Sequence, residues 1–116
     1  MGRSEWGELE NRLEVLLMHM LRWGHQPARR SRSSKATMRE QRNAIRRLMR
    51  RSPSLKRDLE TTIADVYRDA VGRASDETGL SAATFPERLP YGVAEVLEPE
   101  REATASPPAG RPGGRR

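Results

Sequence analysis

The sequence contains no cysteine and few aromatic residues: two tryptophans, two tyrosines and one phenylalanine in 116 residues. Without cysteine the chain forms no disulfide bond, binds no metal through thiolates and has no cysteine nucleophile. A reducing compartment suits such a chain, so we expect a cytoplasmic protein. The scarcity of aromatic rings also weighs against binding of single-stranded nucleic acid by base stacking.

Long apolar runs and catalytic motifs are also missing. No run approaches the ~20 apolar residues of a membrane span, and the first residues, MGRSEWGELEN, lack the apolar core of a secretory signal. The sequence has no Walker loop, no nucleophile elbow and no dinucleotide fingerprint. We therefore expect no membrane partner, no enzyme activity, no catalytic residue, no cofactor and no identifiable small-molecule substrate.

The first segment predicts a helix from about Ser4 to Trp23, with Ser4 as N-cap and Gly24 and Pro27 beyond its end. One broad side is apolar, and Val15 and Met18 project on the opposite side. A helix that is apolar on two sides needs two neighbours. This favours a homo-oligomer or a protein partner. The predicted interaction face consists of Val15, Met18 and His19.

Two further helices are predicted, one from about Ser34 to Arg51 and one that starts with Ser52 as cap and Pro53 at its first position and ends at Gly79. The short connection between them suggests antiparallel neighbours. Phe85 and Leu89 are the expected anchors of an irregular segment before a short helix at 93–97. The sequence thus predicts an all-α fold: a small antiparallel bundle of three main helices with a short C-terminal helix, over residues 1–97, and a disordered Pro/Gly/Arg-rich tail, residues 98–116.

Charge is divided unevenly along the chain. Residues 22–57 carry a net charge of +12, whereas residues 1–21 carry −2 and residues 58–102 carry −7. The candidate nucleic-acid or anion-binding residues follow the loop and one ridge of the second helix: Arg29, Arg30, Arg32, Lys35, Arg39, Arg42, Arg46 and Arg50. Anion capture by Ser33, Ser34 and the helix N-terminus is a less favoured alternative.

Two interpretations of this basic stretch stay open. In the first, acidic residues in one sector of the third helix pair with the arginines, within one molecule or across an interface: Asp58, Asp65, Asp69 and Asp76. In the second, the arginines bind a phosphate backbone. Binding of that kind is weak, sensitive to salt and without sequence specificity.

Metal binding has little support in the sequence. His19 and His25 are the only histidines, and neither belongs to a zinc-binding motif. Asp65 and Asp69 lie one helical turn apart, a spacing that also suits a shared divalent ion, but a solvated acidic face is the simpler interpretation. We expect no metal site.

The residues also carry a family resemblance. The segments MGRSEWGELENRLEVLLMHMLRW, QPARRSRSSKATMREQRNAI, SPSLKRDLE, TGL, TFPE and LPY resemble the bacterial and cyanobacterial family called domain of unknown function 29, over Met1 to about Leu97. The resemblance implies an all-helical fold and no established activity. Relative to the family pattern the chain lacks roughly forty N-terminal residues, has Ser34 in place of a bulky aromatic residue, and carries the Pro/Gly/Arg tail.

The sequence therefore predicts a helical protein-interaction or assembly module with a basic surface. In this interpretation the module acts by burying the uncovered side of its first helix against a second copy or another protein. The alternative is weak, non-specific nucleic-acid binding through the arginines of the second helix.

Overall fold

The computed structural model describes residues 3–98, which form four α-helices and no strand. The helices are α1 (Arg3–His25), α2 (Arg32–Arg51), α3 (Leu59–Thr78) and the short α4 (Val93–Leu97). The predicted all-α fold with three main helices is confirmed. Of the predicted tail only Glu98 belongs to the described residues, and residues 99–116 lie outside them.

The ends of the helices differ from the prediction at four places. One is the end of α1, which includes Gly24 and extends to His25. Ser4 lies inside α1 and is not its N-cap. The second helix begins earlier than expected because the side chain of Ser31 accepts a hydrogen bond of 3.1 Å from the backbone N–H of Ser34, which caps α2. Pro53 starts a separate 3₁₀ turn, Pro53–Lys56, and α3 begins only at Leu59.

The predicted end of α3 is confirmed. Gly79 has φ 76° and ψ 2°, the left-handed conformation in which glycine avoids the penalty of a Cβ atom. Its N–H donates to the carbonyl oxygen of Ser75 at 2.9 Å.

The first helix is the centre of the bundle. It packs extensively against both α2 and α3, which contact each other little. The prediction that the second and third helices are direct neighbours is therefore wrong, although the connection between them is short. The reason lies in α1, whose apolar residues point to two sides and attract one helix to each. The core residues that α1 contributes are Leu9, Leu13, Leu16, Leu17, Met18 and Leu21.

The segment after α3 returns across the bundle and brings α4 to α2. Phe85 anchors it, with 4% of its surface exposed, and contacts the His25 ring edge-to-face at 4.9 Å between ring centroids. The Tyr67 hydroxyl donates a hydrogen bond of 2.6 Å to the carbonyl of Pro86. Leu89 packs against the core, so both predicted anchors are confirmed. Val96 and Leu97 of α4 are buried.

Candidate functional site

The outer side of α2 is the most basic surface of the described residues. The inner side of the helix holds five buried apolar residues: Met38, Ala44, Ile45, Leu48 and Met49. Most of the remaining positions are exposed, but Arg42 is buried and Arg46 is partly buried. Glu40 is the only acidic residue of this 20-residue helix. One side of α2 therefore packs against the core through apolar residues, and most charged residues on its exposed side are basic.

Two of the predicted anion-binding residues belong to the interior of the protein. Arg42 is buried, with 9% exposure, and its Nε donates a hydrogen bond of 2.7 Å to the carbonyl of Val96. Arg46 is partly buried, and its Nη1 donates to the carbonyl of Leu97 at 2.7 Å. The last carbonyls of a helix have no partner within the helix, so these guanidinium groups satisfy the end of α4. Arg42 and Arg46 therefore hold the C-terminal segment and are not part of the solvent-facing surface as predicted.

Arg30 also has a partner within the molecule. Its Nε donates a hydrogen bond of 2.8 Å to the carbonyl of Trp23, and its guanidinium carbon lies 5.0 Å from the centroid of the Trp23 ring. This arrangement combines a cap for the last turn of α1 with a cation–π contact. Arg29, in the turn Pro27–Arg29, is exposed.

Four of the predicted residues line the solvent side of α2: Arg32, Lys35, Arg39 and Arg50. The structure adds Arg47, which the sequence analysis did not include and which is also exposed. The exposed position of Arg47 was predictable from the sequence, because Arg47 lies two turns after Glu40 and opposite the apolar residues of the helix. We refer to Arg32, Lys35, Arg39, Arg47 and Arg50 as the basic face of α2.

The carboxylates of the described residues do not neutralise this face. The ion pairs found in residues 3–98 are Glu8–Arg12 at 2.9 Å, Glu8–Arg51 at 3.9 Å and Glu14–Arg73 at 3.4 Å. None of them joins α2 to α3. Since α1 lies between these helices, the acidic sector of α3 that was expected to pair with the arginines within one molecule is exposed elsewhere: Asp58, Asp65, Asp69 and Asp76. The intramolecular version of that interpretation is wrong for the described part of the chain.

The predicted interaction face on α1 is largely covered by the protein itself. Met18 is 5% exposed and belongs to the core, which contradicts the expectation that it is left uncovered. Val15 and His19 are partly buried. The Nδ1 atom of His19 is buried without a hydrogen-bond partner in the described residues. Burial lowers the pKa of His19, and the nearby charges of Arg22 and Arg73 lower it further against the opposing effect of Glu77.

A groove of about 1050 Å³ lies between α3 and the segment around Phe85. Its walls include Tyr67, Val71, Leu89 and small residues such as Gly72. Burial raises the pKa of Tyr67, and burial together with the neighbouring Tyr67 raises the pKa of Tyr91 to about 12. The hydroxyl of Tyr67 is therefore protonated at neutral pH, as its hydrogen bond to the carbonyl of Pro86 requires.

Two further features concern the described part of the chain. Within residues 3–98, no three histidine or acidic side chains lie together as metal ligands. None of the helices in this range is both long and apolar enough to cross a lipid bilayer.

Comparison with known proteins identifies one relationship. The family model described as "Domain of unknown function DUF29" matches residues 1–101, which is most of the chain. The comparison with curated proteins found no match, and the comparison with solved structures found none either. The resemblance seen in the MGRSE, QPARRSRS and MREQR segments is thus confirmed over nearly the whole helical domain, and the chain belongs to the DUF29 family.

Proposed function

We propose that this protein is a non-catalytic binding module that attaches to nucleic acid through the basic face of α2. The observation that carries the proposal is that this face is both exposed and free of ion pairs with the described acidic residues. Of the two functions considered from the sequence, nucleic-acid binding thus has the stronger structural support.

The dimensions of the face suit a phosphate backbone. Arg32 and Arg50 are eighteen residues apart, which corresponds to ~27 Å along a helix axis. Lys35, Arg39 and Arg47 lie between them. Guanidinium groups bind phosphate oxygens in a bidentate manner, and each contact releases condensed counterions from the nucleic acid. A rigid row of this length supports several such contacts at once.

Assembly through α1 has less support, because the apolar side of α1 that was expected to need an external partner is covered within the protein. The expectation rested on an apolar side of α1 without a neighbour, and α2 and α3 now flank this helix. Met18, the largest apolar residue of the predicted face, is in the core. A role of the protein in assembly, through a surface other than this side of α1, stays a prediction.

The test measures fluorescence anisotropy of labelled oligonucleotides in about 0.05 M salt, where phosphate contacts contribute more to affinity than at physiological ionic strength. The variant Lys35→Gln/Arg39→Gln/Arg50→Gln removes three cations of the basic face. We expect it to weaken binding at least about tenfold, because it removes up to three phosphate contacts.

The matched control is Arg68→Gln/Arg73→Gln/Arg88→Gln, which removes the same number of charges from α3 and the segment beyond it. It should bind within about threefold of the wild type, since only the general field of the protein changes. The proposal fails if the wild-type protein does not bind any oligonucleotide at this salt concentration, or if both triple variants lose affinity equally.

A further inference from the structure

The basic face of α2 offers no ring on which an unpaired base can stack. No aromatic residue occurs in α2. Tyr67 and Phe85 are buried and lie on α3 and in the segment beyond it. Trp23, the aromatic residue nearest in sequence to the basic face, already has the Arg30 guanidinium over its ring. Stacking on aromatic side chains supplies much of the affinity of proteins for single strands, at ~1–3 kcal/mol per base, so this contribution is missing here.

Charge density and stiffness favour a double strand on the same surface. A duplex carries one phosphate charge per ~1.7 Å of axis, about twice the density of one of its strands. It is also straight over a length like that of α2, since its persistence length is ~50 nm. A single strand loses conformational freedom when it follows a straight row of cations, and a duplex loses almost none. The rigid row of five cations therefore fits a rigid polyanion.

The basic residues of α2 are not concentrated in its N-terminal turn, which holds only Arg32 and Lys35 of the five. In helices that read the major groove, residues near the N-terminus contact the base edges. The serines of this turn form the helix cap, because Ser31 accepts from the N–H of Ser34 and its hydroxyl donates to the Ser34 hydroxyl at 3.1 Å. The basic residues instead run along the whole helix, which is the arrangement expected for contacts to phosphates.

We infer that the ligand of this surface is double-stranded nucleic acid, bound through its phosphate backbone and without sequence preference. This inference rests on the proposed function and narrows it to one class of nucleic acid. DNA and RNA duplexes share this chemistry, because both have two paired strands with one negative charge on each phosphate.

The experiment compares three labelled probes with the full-length chain: a DNA duplex of about 20 base pairs, an RNA duplex of the same length and one strand of the DNA duplex alone, each longer than the ~27 Å row of cations. We expect both duplexes to bind at least about tenfold more tightly than the single strand. A scrambled DNA duplex should bind within about threefold of the first one, since phosphate contacts carry no sequence information.

The salt dependence gives a second, independent readout. With about four phosphate contacts, at ~0.9 counterion per contact, duplex affinity should fall roughly a hundredfold between 0.05 and 0.2 M salt. Arg39→Gln should reduce the slope of log affinity against log salt by about one, whereas Arg68→Gln should leave the slope unchanged.

The outcomes separate this inference from the function on which it rests. Equal or tighter binding of the single strand overturns the inference and leaves nucleic-acid binding standing. Binding of polyglutamate as tight as that of the duplex overturns the inference as well, because it makes the face a site for any polyanion. Absence of binding to all three probes overturns the proposed function itself.

Discussion

Arg42 is a charged residue that is buried in the apolar sector of α2, where it donates to the carbonyl of Val96. It lies one turn after Met38 and two turns before Met49, and both methionines are buried. Because seven residues bring a helix back to nearly the same angle, Arg42 falls within the apolar sector. The sequence therefore contained enough information to place Arg42 on the buried side of α2.

The contact of Arg46 differs, because its partner Leu97 is 51 residues away and its position depends on the path of the C-terminal segment. No local pattern predicts such a contact.

The buried bond of Arg42 should be visible in stability measurements. Arg42→Gln removes the hydrogen bond to Val96 and leaves that carbonyl buried without this donor. Hydrogen bonds to charged groups contribute ~1.5–3 kcal/mol, so we expect the free energy of unfolding to fall by about that amount. The measurement is urea denaturation followed by circular dichroism.

Arg39→Gln is the matched control for Arg42→Gln, because it removes the same charge from an exposed position of the same helix. It should change the free energy of unfolding by less than about 0.5 kcal/mol. Equal effects of the two substitutions would show that Arg42 does not hold α4 in place.

At the scale of helices, the sequence predicted the existence of each element well and the starts of the helices less well. Gly79 ends α3 as predicted because a single residue type suits a left-handed cap. The start of α2 was displaced because several serines compete as caps in the stretch SRSS, and only the folded backbone selects Ser31. A proline at the start of a segment likewise fits both an α-helix and the 3₁₀ turn found at Pro53–Lys56.

Two glycines of α3 should respond to alanine in opposite directions. Gly72 lies inside the helix, is exposed, and an added Cβ meets nothing within 4 Å. Gly72→Ala should therefore raise the free energy of unfolding by about 0.5–1 kcal/mol. A Cβ atom added at Gly79 also meets nothing within 4 Å, but Gly79 has a φ of 76°, which is unfavourable for alanine. Gly79→Ala should therefore lower the free energy of unfolding by about 1 kcal/mol.

Thermal and urea unfolding of the two glycine variants provide the measurement, and each variant serves as the control for the other. The comparison isolates backbone conformation because neither new methyl group meets a neighbour. A stabilising Gly79→Ala would mean that α3 does not end at a left-handed residue in solution.

The arrangement of the whole molecule follows from α1 more than from the lengths of the loops. A helix with apolar residues on two sides is covered most completely when it lies between two partners, and the chain supplies both. The two apolar sides of α1 are visible in the sequence, but the second neighbour was expected to come from outside the chain. The order of helices across the bundle was not predictable from local patterns, because a short connection allows α2 and α3 to be neighbours without requiring it. The same arrangement separates the basic face of α2 from the acids of α3, so its charge is available to a ligand.

This arrangement also predicts the state of association. Because α2 and α3 flank α1 and Met18 is in the core, no large apolar surface of α1 remains to drive dimerisation. We expect light scattering coupled to gel filtration, at micromolar concentration and about 0.15 M salt, to give the 13.2 kDa mass of one chain. Moderate salt matters, since it screens attraction between the basic face of one molecule and the acidic residues of another.

A stable dimer would contradict the expected single-chain mass. The variant Val15→Lys would then show which surface forms the dimer. The added charge on a partly buried position of α1 dissociates a dimer that uses Val15 and His19, whereas a dimer that persists is formed by another surface.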